Sequence, residues 1–366
     1  MMRILFVAHT SKLGGPANSL LKLLKSLPAS CNPTIVLPGP GELAEHLAKI
    51  GVNYFYNSLQ LRSLPALIYA IFRDRYHLVY ANNFSFRSSM GLFAAKLSCR
   101  PFIWHIREMV RSETPARNWL RYSDAVIAVS NACADLLQKD VSSERLHVIH
   151  NGIDLDEFTL DRVQARQYIK HELSIGPDKI LVMSVGHICE RKNQFEIVEV
   201  AAQLVQRFPG IVFCFLGRLD HSPEYFAKVK QHVIELGLEE HIRWPGFRSD
   251  AAALLQGADI YLHTSTIDPH PRSVIEAMAA YLPVVAYQTD GVPETVTDGQ
   301  TGFLVPPGDI DGMAAALMDL VADPTRRVSM GEQARKRVEQ FFTAERTARE
   351  ISVLIENVLA KGTLLN

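Results

Sequence analysis

The sequence predicts an α/β chain built from two doubly wound parallel domains. Three observations carry that prediction. The chain has 366 residues, beyond the size of about 250–300 residues at which a single core stops growing. Short apolar runs alternate with amphipathic stretches from end to end, the pattern of strands covered by helices on both faces. The alternation is interrupted by a polar stretch at 171–179 that contains Gly176-Pro177, where a linker is expected. The domains are accordingly placed at 1–172 and 173–343, followed by a C-terminal helix at 344–366 expected to pack back on the first domain.

In the first half, residues 4–8, 34–37, 78–81, 101–104, 125–129 and 146–149 read as buried strands. Between the first two, Ala17, Leu20, Leu21, Leu24 and Leu27 recur at helical spacing. The second half repeats the scheme with strands at 180–185, 211–216, 242–244, 260–263, 284–286 and 303–305. The tail places Ile351, Leu354, Ile355, Val358 and Leu359 on one helical stripe. In doubly wound sheets ligands bind at the carboxyl ends of strands, so the loops that follow strands are where chemistry is sought.

Composition narrows the function. Hydrophobic residues at 48% and charged residues at 21% supply two cores and exclude disorder and low complexity. A formal net charge of −1 removes a global electrostatic case for nucleic acid. The five cysteines, Cys31, Cys99, Cys133, Cys189 and Cys214, come no closer than 25 positions, which excludes a Cys-x-x-Cys metal or redox motif and reads as a reduced, cytosolic set. Five apolar residues follow Arg3, too few for the apolar region of a signal peptide. The apolar run at 64–72 is half a membrane span and contains Pro65. A cytoplasmic protein without a transmembrane helix is expected.

Four loops carry motifs. Gly39-Pro40-Gly41-Glu42-Leu43-Ala44 fits the G-x-G-x-x-A pattern of a dinucleotide site. It follows the second predicted strand rather than the first, and no acid stands between Glu45 and Asp74 to hold a ribose, so a plain strand-to-helix turn is the preferred reading. Ser11-Lys12-Leu13-Gly14-Gly15-Pro16 pairs two glycines with a helix N-terminus, which admits an anion; a turn without a ligand explains it equally well. Gly186-His187-Ile188-Cys189-Glu190-Arg191-Lys192-Asn193 sets two cations before a helix, as a diphosphate site or as a solvated turn. The sharpest segment is Asp268-Pro269-His270-Pro271-Arg272-Ser273-Val274-Ile275-Glu276, with two carboxylates eight positions apart. Asp268 is expected on a loop and Glu276 in the first turn of a helix at 273–280. A buried strand and the acidic turn Asp290-Gly291-Val292-Pro293-Glu294 follow. Scaffolding alone does not account for that order.

The stretch 268–307 resembles the signature of the family 4 glycosyltransferases (glycosyl transferase group 1), retaining enzymes of the two-Rossmann-domain GT-B fold. Asp298-Gly299-Gln300-Thr301-Gly302-Phe303-Leu304-Val305-Pro306-Pro307-Gly308-Asp309 matches the family's last motif closely. Gly14-Gly15, Val148-Ile149-His150-Asn151-Gly152-Ile153-Asp154 and the loop at 186–192 extend the resemblance over nearly the whole chain. It implies a GT-B architecture with a cleft between the domains and a nucleotide-diphosphate sugar as donor. It assigns Glu276 to the ribose hydroxyls, Asp268 to the donor sugar, Lys192 to the diphosphate, His105 to a place near the donor sugar, and 290–294 to the turn facing sugar and phosphates. The implied catalytic set is Asp268, His105 and Lys192. The implied donor-binding set is Gly14, Gly15, His187, Arg191, Lys192, Phe247, His270, Pro271, Arg272, Ser273, Glu276, Asp290 and Gly291. The sequence departs from the family where Asp268 replaces a Glu, Pro271 replaces a Gly and so loses a backbone N–H, and His187 replaces an Arg. Arg191 is the candidate to compensate.

The chemistry the resemblance implies is a front-face displacement in which the leaving phosphate helps to deprotonate the acceptor. Preorganised cations and backbone N–H groups stabilise the charge on the diphosphate, with Lys192 and the Gly14-Gly15 turn as candidates. No Asp-x-Asp motif directly closes a predicted strand, so no essential metal and no cofactor beyond the donor substrate are expected. Residues 60–122 hold ten Lys and Arg against three acids, a net of +7, interleaved with Phe72, Phe84, Phe86, Trp104 and Trp119. That mix suits a lipid-linked acceptor or an anionic bilayer, and equally a set of solvated Arg side chains. The expected function is sugar transfer to a glycan or lipid-linked acceptor in surface polysaccharide or glycolipid synthesis, on the cytoplasmic face of a membrane and without nucleic acid. A non-catalytic or weakened sugar-nucleotide-binding relative and a sugar-nucleotide epimerase are the alternatives.

Overall fold

The computed structural model describes residues 1–111, 115–176 and 178–363; Pro177, named above, and Glu113, one of the three acids counted at 60–122, lie outside them. The chain forms two compact units, Met1–Asp154 with Phe342–Asn366, and Leu155–Phe341. In the first unit the elements run β1 (Met2–Val7), α1 (Gly15–Ser26), β2 (Cys31–Leu37), α2 (Glu42–Lys49), β3 (Asn53–Tyr56), α3 (Leu64–Arg73), β4 (Leu78–Ala81), α4 (Phe86–Leu97), β5 (Phe102–Ile106), β6 (Ala125–Ala128), α5 (Asn131–Leu137) and β7 (Leu146–Val148). Every strand pair is parallel, in the order β3-β2-β1-β4-β5-β6-β7, so the winding reverses between β1 and β4. Ile4, Leu5, Phe6 and Val7 are fully buried, because helices cover both faces of the sheet. Ile4 and Phe6 meet Leu20, Leu24 and Leu43 on one face. Leu5 and Val7 meet Leu67, Ile71 and Leu92 on the other. β3 has no counterpart among the predicted strands. It is an edge strand, Asn53-Tyr54-Phe55-Tyr56, with no fully buried residue, so no apolar run marks it. Of the five aromatics counted at 60–122, Trp104 is fully buried and Phe84 and Trp119 pack against the core; Phe72 and Phe86 are exposed.

The second unit runs α6 (Arg162–Leu173), β8 (Ile180–Val185), α7 (Gln194–Val205), β9 (Ile211–Leu216), α8 (Pro223–Glu235), β10 (Ile242–Gly246), α9 (Ala251–Gln256), β11 (Ile260–His263), α10 (Arg272–Ala279), β12 (Val284–Tyr287), α11 (Val292–Thr295), β13 (Gly302–Val305), α12 (Ile310–Ala322) and α13 (Pro324–Phe341). Its sheet is parallel in the order β10-β9-β8-β11-β12-β13 and reverses between β8 and β11. The last helix, α14 (Ala344–Thr363), buries Ala348, Ile351, Ile355 and Val358 in the first unit's core beside Leu20 and Leu24.

The polar stretch at 171–179 is not where the units part. The helix before it is bound to the second unit by charge. Arg162 and Arg166 each donate to one oxygen of the buried Asp259 at 2.6 Å, and Asp259 also accepts from the Leu181 N–H at 2.8 Å. Leu160 N–H donates to Gln256 at 2.7 Å. The division therefore falls at Asp154 and Leu155, ahead of α6, and Gly176 belongs to an α–β connection inside the unit. No described helix is long and apolar enough to cross a membrane.

Candidate functional site

The reversal point of the second sheet brings three loops together at the carboxyl ends of β8, β11 and β12. They are stitched to one another. Thr266 N–H donates to the Arg191 carbonyl at 3.0 Å, the Thr264 hydroxyl to the Lys192 carbonyl at 2.9 Å, and the Thr289 hydroxyl to the Ser265 carbonyl at 2.9 Å. The ends of β8 and β9 approach closely as well. A Cβ at Gly217 would stand 1.8 Å from the Gly186 carbonyl oxygen, so only glycine fits there.

At the centre is Asp268, buried on the loop after β11. Lys192 Nζ donates to its Oδ2 at 2.8 Å, and Arg191 Nη1 stands 3.9 Å from the same oxygen while donating to the Ile267 carbonyl at 2.8 Å. His263 Nε2, at the end of β11, lies 3.3 Å from Oδ2 without hydrogen-bond alignment. Burial pushes the Asp268 carboxyl up; the Lys192 ammonium and His263 outweigh it and hold the group well below the usual carboxylate range. Burial, with Lys192 behind it, lowers His263, so its ring is neutral at pH 7. The backbone of Asp268 is fixed from the third loop: its N–H donates to Asp290 Oδ2 at 3.0 Å, and its carbonyl accepts from the Gly291 N–H at 3.1 Å. Asp290 adopts a left-handed φ of 43°, which an Asp tolerates where its side chain caps a neighbouring N–H. The structure thus gathers Lys192, Arg191, Asp268, Asp290 and Gly291 into one cluster.

α10 begins one residue earlier than expected. Arg272 is its first residue and Pro271 its N-cap, so Glu276 sits in the second turn rather than the first. The reason is steric: proline's fixed φ, here −74°, is already set for a helix start, and its missing N–H is not needed there. One turn of spacing lets Arg272 Nη2 reach Glu276 Oε1 at 3.1 Å. The buried Tyr261 hydroxyl donates to the Val185 carbonyl at 3.3 Å and feels the charges of Glu276 and Asp268. His270 is buried on the loop between.

His187 is half-buried on the first loop, its ring stacked on His221 at 4.5 Å and 14°. Burial, then His221, Arg218, Lys192 and Arg191, lower its titration point. Phe247 follows β10 and is 66% exposed. The Arg218 guanidinium lies 5.5 Å from its ring centre.

Gly14, Gly15 and His105 belong to the first unit. Gly14 is the N-cap of α1 with an extended backbone, and a Cβ at either glycine would meet nothing within 4 Å. Neither conformation nor internal packing demands glycine there. Gly41 differs: its Cβ would lie 2.6 Å from the Ser11 carbonyl, and Leu43 N–H donates to that carbonyl at 2.9 Å. The glycine of the G-x-G-x-x-A turn is thus explained by packing. His105 is fully buried on β5. Its Nδ1 accepts from the Tyr80 hydroxyl at 2.5 Å and from Arg107 Nη2 at 3.3 Å, which assigns the ring proton to Nε2, a buried atom without a hydrogen-bond partner. Burial and then Arg107 push the ring well below its ordinary titration point, so it is neutral.

Several site residues carried no signal in sequence. Arg107 Nη1 donates to Asn151 at 2.6 Å and its Nε to Asn82 at 3.1 Å, while Asn82 donates to the Pro16 carbonyl at 2.8 Å. Glu108 accepts from Asn83 at 3.2 Å and from the Phe84 N–H at 3.1 Å, and burial raises its carboxyl in spite of these bonds. His263 and His221 are single residues at strand ends with no spacing partner. The usable cue was position: His263 closes β11 at the reversal point, and His221 follows β9, one strand away from it. Among the described residues no group of three or more His, Cys, Asp or Glu is placed to hold a metal ion.

Two family models match the chain, Glycosyltransferase Family 4 over residues 13–157 and Glycosyl transferases group 1 over residues 165–337. A putative glycosyltransferase, EpsD, of Bacillus subtilis is 26% identical over 65% of this chain and 62% of its own. The lipopolysaccharide core biosynthesis glycosyltransferase LpsE of Rhizobium meliloti is 28% identical over 48% of this chain and 49% of its own. The chain therefore spans less than two thirds of the length of these curated relatives. Among solved structures, Anabaena HepE in complex with UDP superposes with a TM-score of 0.88 at 23% identity, over 97% of this chain and 100% of that one. That likeness establishes the architecture: two Rossmann-like domains of the GT-B type.

Proposed function

The chain belongs to the group 1 glycosyltransferases, and from that premise we propose that it moves a sugar from a nucleoside-diphosphate donor to a glycan or lipid-linked acceptor, with retention at the anomeric carbon. The observation that carries the reading is the cluster at the second sheet's reversal point, where Arg191 and Lys192 face the buried Asp268. Breaking a sugar–phosphate bond leaves extra negative charge on the diphosphate. Arg191 and Lys192 meet that charge with fixed cations, in the place a divalent metal would otherwise take. Asp268 occupies one of the three Lys192 N–H donors and leaves two for phosphate oxygens. Asp268, ionised, accepts from a donor-sugar hydroxyl. Glu276 accepts from the ribose hydroxyls, its carboxylate steadied by Arg272.

His105, neutral with its proton on Nε2, acts as a hydrogen-bond donor to the sugar rather than as a base. The open space around Gly14 and Gly15 lets the donor approach the α1 N-terminus. The leaving phosphate oxygen takes the acceptor proton. Surface glycan synthesis is supported by the names of the relatives, LpsE for lipopolysaccharide core and WcaL of Escherichia coli for colanic acid. HepE has been solved with UDP-glucose, which makes UDP-sugars the first donors to try.

The test is a thermal-shift screen of UDP-, GDP- and ADP-sugars with CMP-sugars as the single-phosphate control, followed by transfer assays read by NMR at the anomeric centre. One diphosphate class is expected to stabilise the protein, Glu276→Gln to abolish that shift, the product to keep the donor's configuration, and EDTA to leave turnover unchanged. No stabilisation by any nucleotide sugar overturns the donor site. An inverted product, or activity lost to EDTA and restored by Mg²⁺, overturns the corresponding part of the mechanism. A new sugar nucleotide formed without acceptor would establish an epimerase instead.

A further inference from the structure

We propose that His187 and His221 form a proton-accepting part of the donor site: the stacked pair takes up one proton as the diphosphate binds, and His221 is the positioning residue that holds the His187 ring for it. This rests on the reading of 186–192 as the diphosphate loop. The two rings lie nearly parallel, 4.5 Å apart, from the loops after β8 and β9. Those loops are locked together: Gly186 N–H donates to the Leu216 carbonyl at 2.8 Å, and Ile188 N–H to the Arg218 carbonyl at 3.1 Å. Gln194 Nε2 donates to the His187 carbonyl at 3.0 Å, so the backbone that carries the ring is fixed from α7 as well. His187 Nδ1 is buried and has no hydrogen-bond partner, an uncompensated loss unless something completes it.

The charges around the ring set the sign. Burial does most to lower the ring's titration point, and His221, the Arg218 cation of the neighbouring loop and the Lys192 and Arg191 cations of its own loop add to it, so the ring is neutral at pH 7. The carboxylates of these loops are engaged or sit on the far partner: Glu190 accepts from the Ser222 hydroxyl at 3.2 and 3.3 Å, Asp268 is held by Lys192, and Asp220 adjoins His221. A diphosphate placed among those cations cancels their field at the ring and offers it acceptor oxygens. A proton taken from solvent then makes a charge-assisted N–H···O contact, and the face of His221 lies against the cationic ring. Binding consumes a proton. Affinity therefore falls as pH rises, by up to about tenfold per pH unit between the ring's two titration points, and is flat outside them.

Isothermal titration of the full chain with UDP-glucose, GDP-mannose and ADP-glucose, in buffers of different ionisation enthalpy, tests this across neutral pH. Nucleotide sugars are the right probes because a terminal phosphate itself titrates near about 6, whereas a bridging diphosphate does not. Wild type is expected to take up a proton and to bind more weakly as pH rises. His187→Gln should bind with no uptake and a flat profile. His221→Ala should lose most of the uptake with an unchanged melting curve, and His221→Phe, which keeps a flat ring, should restore it. Binding that Glu276→Gln weakens, but that is pH-flat and proton-neutral in wild type, overturns this inference and leaves the donor site standing. No binding of any of the three sugars overturns both.

Discussion

At Asp268 two large effects oppose each other, and their balance is readable in the contacts. Burial alone would drive a carboxyl up; Lys192 at 2.8 Å reverses that. Removing Lys192 leaves a buried charge without its partner, which costs on the order of 3–5 kcal/mol. Lys192→Ala is therefore expected to melt well below wild type, and Asp268→Asn in the same chain to recover most of the loss, since no charge then remains to desolvate. Additive losses in thermal melts would show that the pair does not couple. The pH dependence has a definite sign. Asp268 is lowered in the folded state, so its stabilisation is complete above its unfolded value of about 3.9 and is lost as pH falls below it. Asp268→Asn should lower stability at neutral pH, where that contribution is present, and flatten the acid limb of the profile. Asp268 and Lys192 were both legible in sequence, through the motif order after 268 and the cation pair at 191–192. Their contact was not, because 76 positions separate them and only the fold closes that distance. His263 was illegible for another reason: at the end of an apolar strand it reads as a register position until its neighbour is known.

On the scale of single elements, the helices that frame the site differ from their sequence reading by small, explicable amounts. Pro271 sets the start of α10, and the shift of one residue moves Glu276 into the second turn while making its pairing with Arg272 one of i,i+4 spacing. α3 carries the acceptor question. Its inner face, Leu67, Ala70 and Ile71, is buried as the apolar period requires. Outward, Tyr69 and Phe72 are 64% and 52% exposed, Leu61 before the helix is 70% exposed, and Arg62 and Arg73 flank them. Asp74 accepts two 2.8 Å hydrogen bonds from Arg73, so part of that charge is already answered. If this face meets an anionic bilayer, as the lipid-linked reading requires, wild type should co-sediment with phosphatidylglycerol vesicles and release them at high salt. Tyr69→Ala with Phe72→Ala should abolish binding with an unchanged melt, and Arg62→Ala should weaken it about fivefold, the equivalent of about 1 kcal/mol per cation near the surface. Wild type that ignores such vesicles would assign the face to solvent.

For the molecule as a whole, strand and helix alternation was enough to give two parallel sheets, because strands such as Ile4 to Val7 that are buried on both faces cannot hide their apolar character. Boundaries were less legible. Gly176 with its proline neighbour looks like a hinge in one dimension, whereas the ion pairs from Arg162 and Arg166 to Asp259 span about ninety positions and leave no local trace. The consequence can be measured on fragments. Residues 155–341 contain α6, the buried carboxylate it neutralises, and every strand of the second sheet. That fragment should unfold in one cooperative transition. A fragment of 173–343 strips both arginines from Asp259, whose side chain is 3% exposed, and leaves a charge buried against the Leu181 N–H alone. It should melt early, or not fold, and Asp259→Asn should rescue it in part by removing the charge. Equal melting of the two fragments would place the boundary back at the polar stretch. The corresponding fragment for the first unit, 1–154, lacks α14, and with it Ile351 and Ile355 from the core beside Leu20. It should expose that apolar face and bind a hydrophobic dye, and addition of the 342–366 peptide should suppress the signal.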